Sequence, residues 1–292
     1  MPVTDTPADT PAPTPTPADT AAPADTAAPA DTPHDHPFTI AIDVGGTGLK
    51  ADVLDKDGQP VAARVRVPTT YPMAPDLLVS TLTKLVAKLP EGDRVSCGFP
   101  GMVRQGHVLS APHFVCINGP GTKTDPKLVT AWSDFDLGGA LEKSIGKPCR
   151  VANDADVQGA AVVQGNGFEV VITLGTGFGT AFFMDGSLMP HLEFAHLEFR
   201  KGETFNEQIG EAARKKIGDE RWNKRVRKAI VYLDALSFFD HLYIGGGNGP
   251  RVNRRDLGEV LERITVVDNK AGILGGIKLW DAHHVGVEGG SS

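Results

Sequence analysis

A strand that runs into a glycine-rich turn and leaves it as a second strand occurs twice in this chain. Phe38-Thr-Ile-Ala-Ile-Asp43 reads as a strand, Val44-Gly-Gly-Thr-Gly48 as the turn and Leu49 to Leu54 as the strand that follows, closed by the hairpin turn Asp55-Lys-Asp-Gly58. The pattern returns in Val170-Val-Ile-Thr-Leu174, Gly175-Thr-Gly-Phe-Gly179 and Thr180 to Met184, closed by Asp185-Gly186. A further strand, His241 to Ile244, enters Gly245-Gly-Gly-Asn-Gly249. The duplication predicts two similar α/β half-domains, 38–150 and 151–292, facing each other. A lone loop of this kind is an ordinary turn. Three of them, two duplicated, read as cradles in which backbone N–H groups converge on an anion, with Thr47 and Thr176 adding hydroxyl donors.

Two better-known phosphate loops are excluded. No GxxxxGK[ST] occurs, because Gly146-Lys147 runs into Pro148. A dinucleotide fingerprint needs a helix directly after its glycines, and both duplicated loops run into strands.

The segments between the loops fill out an α/β pattern. Gln59 to Val67 alternates as a third strand. Pro75 opens a helix from Asp76 to Leu89 with Leu77, Leu78, Leu82, Leu85 and Leu89 on one face. A strand from Arg94 to Phe99 ends at Pro100-Gly101, a helix near Leu137 to Ile145 precedes the strand Cys149 to Ala152, and long helical stretches fill Phe205 to Phe239. Ala271 to His283 closes the chain as a helix expected to pack back on the first half.

Charge is unevenly spread. Six aspartates and 10 of the 22 prolines lie in residues 1–37, which lack Lys, Arg, Glu and Gly. Without Leu, Ile or Phe this tail cannot offset chain entropy and is expected to be disordered. It therefore carries most of the net charge of −7, and the remaining body holds 29 basic against 30 acidic groups. Bulk charge thus gives no sign of a nucleic-acid binder. No stretch approaches the roughly 18 consecutive apolar residues of a membrane helix, and the N-terminus lacks a signal peptide's cationic and apolar regions. Cys97, Cys116 and Cys149 form no CxxC pair and no zinc spacing, which fits a reducing cytoplasm.

Two clusters carry reaction chemistry. Asn153-Asp154-Ala155-Asp156 sits where a strand ends and a helix starts, an exposed, cleft-facing position. A carboxylate there can take a proton from a hydroxyl attacking phosphorus, or simply cap the helix. Glu193-Phe-Ala-His196, followed by Glu203 and Glu207, can grip several sugar hydroxyls, or can be plain surface charge.

Duplicated β–glycine-loop–β hairpins with a late triple glycine resemble the actin–hexokinase–Hsp70 ATPase superfold. That resemblance implies two ribonuclease-H-like half-domains around a central cleft. Asp43-Val-Gly-Gly-Thr-Gly48 resembles its first phosphate loop, with Gly45, Gly46, Thr47, Gly48 and Lys50 on the donor and Asp43 holding Mg²⁺ through water. Gly175, Thr176 and Gly177 resemble the second phosphate loop, and Gly245, Gly246 and Gly247 the adenosine loop. The Asn-Asp pair, the Glu-x-x-His and the Asp-x-Gly-Gly-Thr loop, in this order, resemble the ROK sugar kinases (the repressor, open-reading-frame and kinase family) from about Phe38 to His283. By that resemblance Asp154 is the general base, Asn153, Glu193, His196 and Glu207 hold the sugar, and Gly98-Phe-Pro100-Gly101 is the substrate-side loop. The resemblance also implies a homodimer.

Two departures from the family stand out. Ala195 replaces the glycine of Glu-x-Gly-His, and residues 198–210 lack the cysteines of a zinc loop, so no zinc is expected. With Gly-Thr-Gly-Leu-Lys50 and Asn-Asp-Ala-Asp156, this is most similar to the polyphosphate glucokinase branch. Eight Lys/Arg between Arg214 and Lys228 offer a stripe for a polyanion, although a solvated helix face is the commoner reason for such a run. The leading expectation is a cytoplasmic phosphotransferase moving a phosphoryl group from ATP or polyphosphate to the 6-hydroxyl of glucose. A kinase for mannose or N-acetylmannosamine is an alternative. A non-catalytic sugar-responsive regulator ranks lower, since an acidic, proline-rich tail stands where such members carry a helix-turn-helix. An Hsp70-like switch ranks lower still, for want of a substrate-binding domain after the closing helix.

Overall fold

Alternation of apolar and polar side chains sets the two faces of the first sheet. The computed structural model describes residues 37–267 and 271–281. In it β1 (Thr39–Val44) pairs antiparallel with β2 (Gly48–Leu54), and β2 with β3 (Val65–Pro68). On the other side of β1 lies the parallel strand β4 (Arg94–Phe99). A small sheet follows, made of β5 (Met102–Arg104), β6 (His107–Ser110) and β7 (Phe135–Asp136). β8 (Cys149–Asn153) then joins β4 in parallel and completes the order β3-β2-β1-β4-β8. Ile40, Ile42 and Val44 share one face with Leu49, Ala51 and Val53 and are buried against Leu78, Leu82 and Leu85 of α1 (Pro75–Val86). Leu137 and Leu141 of α3 (Leu137–Ile145) join this core, while α2 (Pro126–Trp132) supplies Trp132. The period of two puts Ala41, Asp43, Lys50, Asp52, Ser96 and Gly98 on the opposite face.

The second sheet repeats the first. β9 (Phe168–Leu174) pairs antiparallel with β10 (Phe178–Met184), which pairs with β11 (Ser187–Leu188). The short hairpin β12 (Glu198–Arg200) and β13 (Glu203–Thr204) precedes three helices, α5 (Phe205–Ile209), α6 (Glu211–Ile217) and α7 (Asp219–Ser237). β14 (His241–Gly245) and β15 (Ile264–Val266) then extend the sheet in parallel, giving β11-β10-β9-β14-β15. Trp222, Val226, Ile230 and Leu233 of α7 cover one face of it.

Two helices lie on the polar face of the first sheet. α4 (Asp154–Ala160) starts at the end of β8, and α8 (Ala271–Asp281) crosses it where Gly275 meets the Val157 backbone, so closely that a Cβ would overlap the Val157 carbonyl. The Ser96 hydroxyl donates to the Gly276 carbonyl, and Trp280 Nε1 donates to Ser96 Oγ at 2.9 Å. The Arg150 guanidinium stacks over Trp280 at 4.5 Å.

Several bounds differ from those read in the sequence. Of the expected strand 59–67 only residues 65–67 lie in β3; before them Pro60 forms an isolated bridge with Leu54 and Val61 N–H donates to the Val53 carbonyl at 2.9 Å. α1 ends at Val86 rather than Leu89, and Leu77 is 43% exposed because the buried stripe runs through Leu78, Leu82, Leu85 and Val86. Glycines at 210 and 218 divide the helical stretch 205–239 into three. The closing helix is described to Asp281; residues 282 and 283, like residues 1–36 of the expected disordered tail, lie outside the described residues. Among the described residues no helix is long and apolar enough to cross a membrane.

Candidate active site

The first glycine loop is held from both sides. Gly45 N–H donates to the Gly48 carbonyl at 3.1 Å, which closes the turn. Thr69 Oγ1 donates to the Gly45 carbonyl and Tyr71 Oη to the Gly46 carbonyl, each at 2.6 Å. These bonds hold the loop backbone on either side of Thr47, which is exposed. Asp43 and Lys50 are cross-strand partners in β1 and β2, and Lys50 Nζ lies 2.8 Å from Asp43 Oδ2.

The second and third loops are tied together by Asn248, to which the sequence assigned no role. Its N–H donates to the Leu174 carbonyl at 2.8 Å and its Nδ2 to the Gly175 carbonyl at 3.2 Å. Gly246 adopts φ +81° against the Leu174 backbone, where a Cβ would overlap the Leu174 carbonyl. Gly175 also accepts from Glu211 N–H at 3.0 Å, yet a Cβ on it would meet nothing within 4 Å. Gly175 thus presents open space. Thr176 and Gly247 are exposed, whereas Gly245 is buried.

The Asn153–Asp156 cluster is not the exposed group expected of it. Asn153 and Asp156 are buried, because the first turn of α4 is sealed by capping and by the loop after β4. Asn153 Oδ1 caps α4 by accepting from Ala155 N–H at 2.8 Å, and its Nδ2 donates to the Gly101 carbonyl at 2.9 Å. One residue thereby fixes both the helix start and the Pro100-Gly101 turn. Asp154 is half-buried and lines a cavity of about 300 Å³ together with Asp43, Lys50, Asp52, Arg64 and Gly98. Burial pushes its carboxyl up to about 6, helped by the negative charges of Asp43, Asp156 and Glu193 and opposed by the Ala155 N–H. A carboxylate poised near neutrality and facing a polar cavity can act as a proton acceptor.

In the Glu-x-x-His segment, Glu193 is half-buried, and its Oε1 accepts from Ala195 N–H at 3.2 Å. His196 is exposed one short 3₁₀ turn away, and its charge acts on Glu193. Glu207 is exposed and engaged elsewhere, closing a capping box at α5 by accepting from Thr204 N–H at 2.8 Å and Thr204 Oγ1 at 2.9 Å. The Ser/Thr-x-x-Glu spacing of that box is legible in the sequence as Thr204 to Glu207.

Two histidines without a spacing signal join this neighbourhood. His113 precedes Phe114, whose ring is fixed 5.5 Å from Phe99 and 5.8 Å from Trp132. Its Nδ1 is buried without a partner beside Gly46, and burial together with the charge of His196 holds the ring below the usual histidine range. His191 is buried and reaches Asp156 Oδ1 through Nδ1 at 2.9 Å.

Among the described residues no three His, Cys, Asp or Glu side chains gather as a metal cage. A magnesium ion bound mainly by donor phosphates and water needs no such cage. Asp43 fits that demand, since its side chain is 57% exposed and Lys50 approaches only Oδ2. The basic run 214–228 is largely engaged by its own neighbours. Arg214 pairs with Asp219, Lys215 with Glu211 and Lys224 with Glu220, Arg225 donates to the Gln208 carbonyl, and Lys228 lies over Phe199 and Tyr232.

The profile of the ROK family matches residues 39–191. A polyphosphate glucokinase of Mycobacterium tuberculosis (strain CDC 1551 / Oshkosh) is 28% identical over 247 residues, covering 80% of this chain and 88% of the relative. An N-acetylmannosamine kinase of Escherichia coli (strain SE11) is 30% identical over 156 residues, 52% of this chain and 49% of the relative. The crystal structure of an inorganic polyphosphate/ATP-glucomannokinase from Arthrobacter sp. strain KM superposes with a TM-score of 0.64 at 30% identity, covering 82% of this chain and 96% of that one.

Proposed function

The chain belongs to the ROK family, and from that premise we propose that it is a sugar kinase transferring a phosphoryl group from polyphosphate or ATP to the 6-hydroxyl of glucose. The observation that carries this reading is Asp154, a carboxylate raised to about 6 that shares one polar cavity with the Asp43–Lys50 pair.

In this reading the two similar sheets are half-domains facing a cleft. The donor phosphates lie against the first and second glycine loops, whose N–H groups and the Lys50 ammonium stabilise charge on the transferring group. Bound Mg²⁺, held through water by Asp43, would neutralise charge on the donor oxygens. Asn153, Glu193 and His196 hold the sugar so that its hydroxyl faces Asp154. As the new O–P bond forms and the donor's P–O bond breaks, the hydroxyl proton passes to the Asp154 carboxylate and the shortened phosphate chain leaves. Glu207, capping α5, joins the sugar contacts only if that box opens.

The choice of sugar and donor draws on the relatives' names, which include a polyphosphate glucokinase, a polyphosphate/ATP-glucomannokinase and an N-acetylmannosamine kinase. Mannose and N-acetylmannosamine are therefore the competing acceptors. Transfer assayed against glucose, mannose and N-acetylmannosamine, with ATP and polyphosphate in parallel, tests the reading. Glucose is expected to give the highest kcat/KM; no hexose-dependent transfer from either donor would refute it.

A further inference from the structure

Asp156, His191 and Glu193 form a chain of three titratable groups that the phosphoryl-transfer reading leaves unused. The side chains of Asp156 and His191 are 3% and 2% exposed, so both are sealed from water. Asp156 stands at the third position of α4, where the Asn153 N–H also acts on its carboxylate. It accepts from His191 Nδ1 at 2.9 Å, which fixes the plane and the direction of the imidazole. The other ring nitrogen, Nε2, is buried without a hydrogen-bond partner, and its nearest charged neighbour is Glu193 Oε2 at 3.7 Å. A ring anchored at Nδ1 and aimed through Nε2 at a half-buried carboxylate is a geometry for holding that carboxylate in place and ionised.

We propose that His191 is a positioning residue: as an imidazolium clamped by Asp156, it keeps Glu193 an obligate hydrogen-bond acceptor for hydroxyls of the bound sugar. The proposal deepens the sugar-kinase reading and rests on it.

The charges around the ring agree with its geometry. Burial works against a charged His191, but the Asp156 hydrogen bond and the negative charges of Asp156 and Glu193 outweigh it and push the ring up to about 9. Burial likewise raises Glu193, and the positive charge of His191 beside it, with smaller help from the Ala195 N–H and His196, brings it below its ordinary value. The groups facing this chain are Asp154 and Asp156 on α4 and Glu193 and His196 on the short 3₁₀ turn. Asp156 and Glu193 lie on either side of one buried ring, and its positive charge favours the ionised form of both. Without it Glu193 takes up a proton at higher pH, becomes a donor as well as an acceptor, and loses its grip on a sugar hydroxyl.

His191→Gln keeps an amide to donate to Asp156 but carries no charge, and His191→Asn is a shorter control should the glutamine variant fold poorly. In the wild-type protein kcat/KM for the sugar should fall above about pH 9 as His191 loses its proton. Both variants should lack this alkaline limb. Glu193 in these variants should take up its proton at higher pH, so that KM for the sugar rises several-fold above wild type on the acid side while kcat changes less. Histidine-selective ¹⁵N NMR of the sugar-free full chain gives an independent reading, with the His191 signal identified by its loss in His191→Gln. That ring should stay doubly protonated through about pH 8. A ring that titrates below about pH 7, or variants with an unchanged sugar KM and pH profile, overturns the clamp. Wild-type protein without any hexose-dependent transfer overturns instead the reading on which the clamp rests.

Discussion

Lys50 Nζ lies 2.8 Å from Asp43 Oδ2, joining adjacent strands directly beneath the first glycine loop. Both side chains are partly exposed, so the pair contributes little to stability, about 0–1 kcal/mol. In the proposed reading the pair places a positive charge where donor phosphates would lie. Lys50→Met should leave the melting temperature nearly unchanged and lower kcat/KM for the donor about a hundredfold. An unchanged kcat/KM would remove Lys50 from the donor site.

Asp154 links activity to stability. Its folded-state carboxyl is raised from 3.8 to about 6, so the native state binds a proton more tightly than the unfolded chain. Stability from this group is therefore greatest below about pH 4 and is lost as pH rises through about 6. Asp154→Asn should stabilise the protein by about 1–3 kcal/mol at pH 7–8, and the gain should vanish near pH 4. Thermal melts of both proteins across that range check the sign. In the wild-type enzyme kcat/KM should fall below about pH 6 as the base becomes protonated.

The glycines of the second and third loops separate structural from ligand roles. A methyl on Gly175 meets nothing within 4 Å, so Gly175→Ala should cost under about 1 kcal/mol while raising KM for the donor. Gly246, at φ +81° against the Leu174 backbone, has no room for a methyl. Gly246→Ala should destabilise the protein by more than about 1 kcal/mol and loosen Asn248 from Leu174. Denaturant melts with donor titrations distinguish the two outcomes.

Tyr71 supports the first loop through its hydroxyl alone, 2.6 Å from the Gly46 carbonyl. Tyr71→Phe keeps the ring packed 6.2 Å from Phe114 and should cost about 0.5–1.5 kcal/mol. Its KM for the donor should rise while that for the sugar changes less, a split that steady-state kinetics can read.

What the sequence disclosed followed from how locally each feature is encoded. Local sequence located β4 at Arg94–Phe99 and α3 near Leu137–Ile145, where both are observed. The strand–glycine–strand repeat led to the paired hairpins β1–β2 and β9–β10. Two- to four-residue strands such as β7 and β13 are too short for alternation to register, and they form because tertiary neighbours supply their partners. Long-range contacts account for most of the rest of the site. Nothing in the spacing of His191 relates it to Asp156, and nothing beside His113 announces that its ring will lie next to Gly46; both depend on how distant segments pack. Burial of Asn153 and Asp156 was illegible for the same reason, since an Asn-Asp-Ala-Asp run is polar by composition and is enclosed only by the Gly101 turn and His191. Glu207 shows the converse, a local capping box that competes with the contact expected from resemblance.

The central claim is tested most directly by measuring hexose-dependent phosphoryl transfer in wild-type and Asp154→Asn protein, with sugar binding measured on the same samples. If Asp154 is the base of a sugar kinase, both proteins bind glucose with similar affinity and the variant loses about 10²–10⁴-fold in kcat with either donor. A variant that binds glucose and turns over at near the wild-type rate would contradict the account.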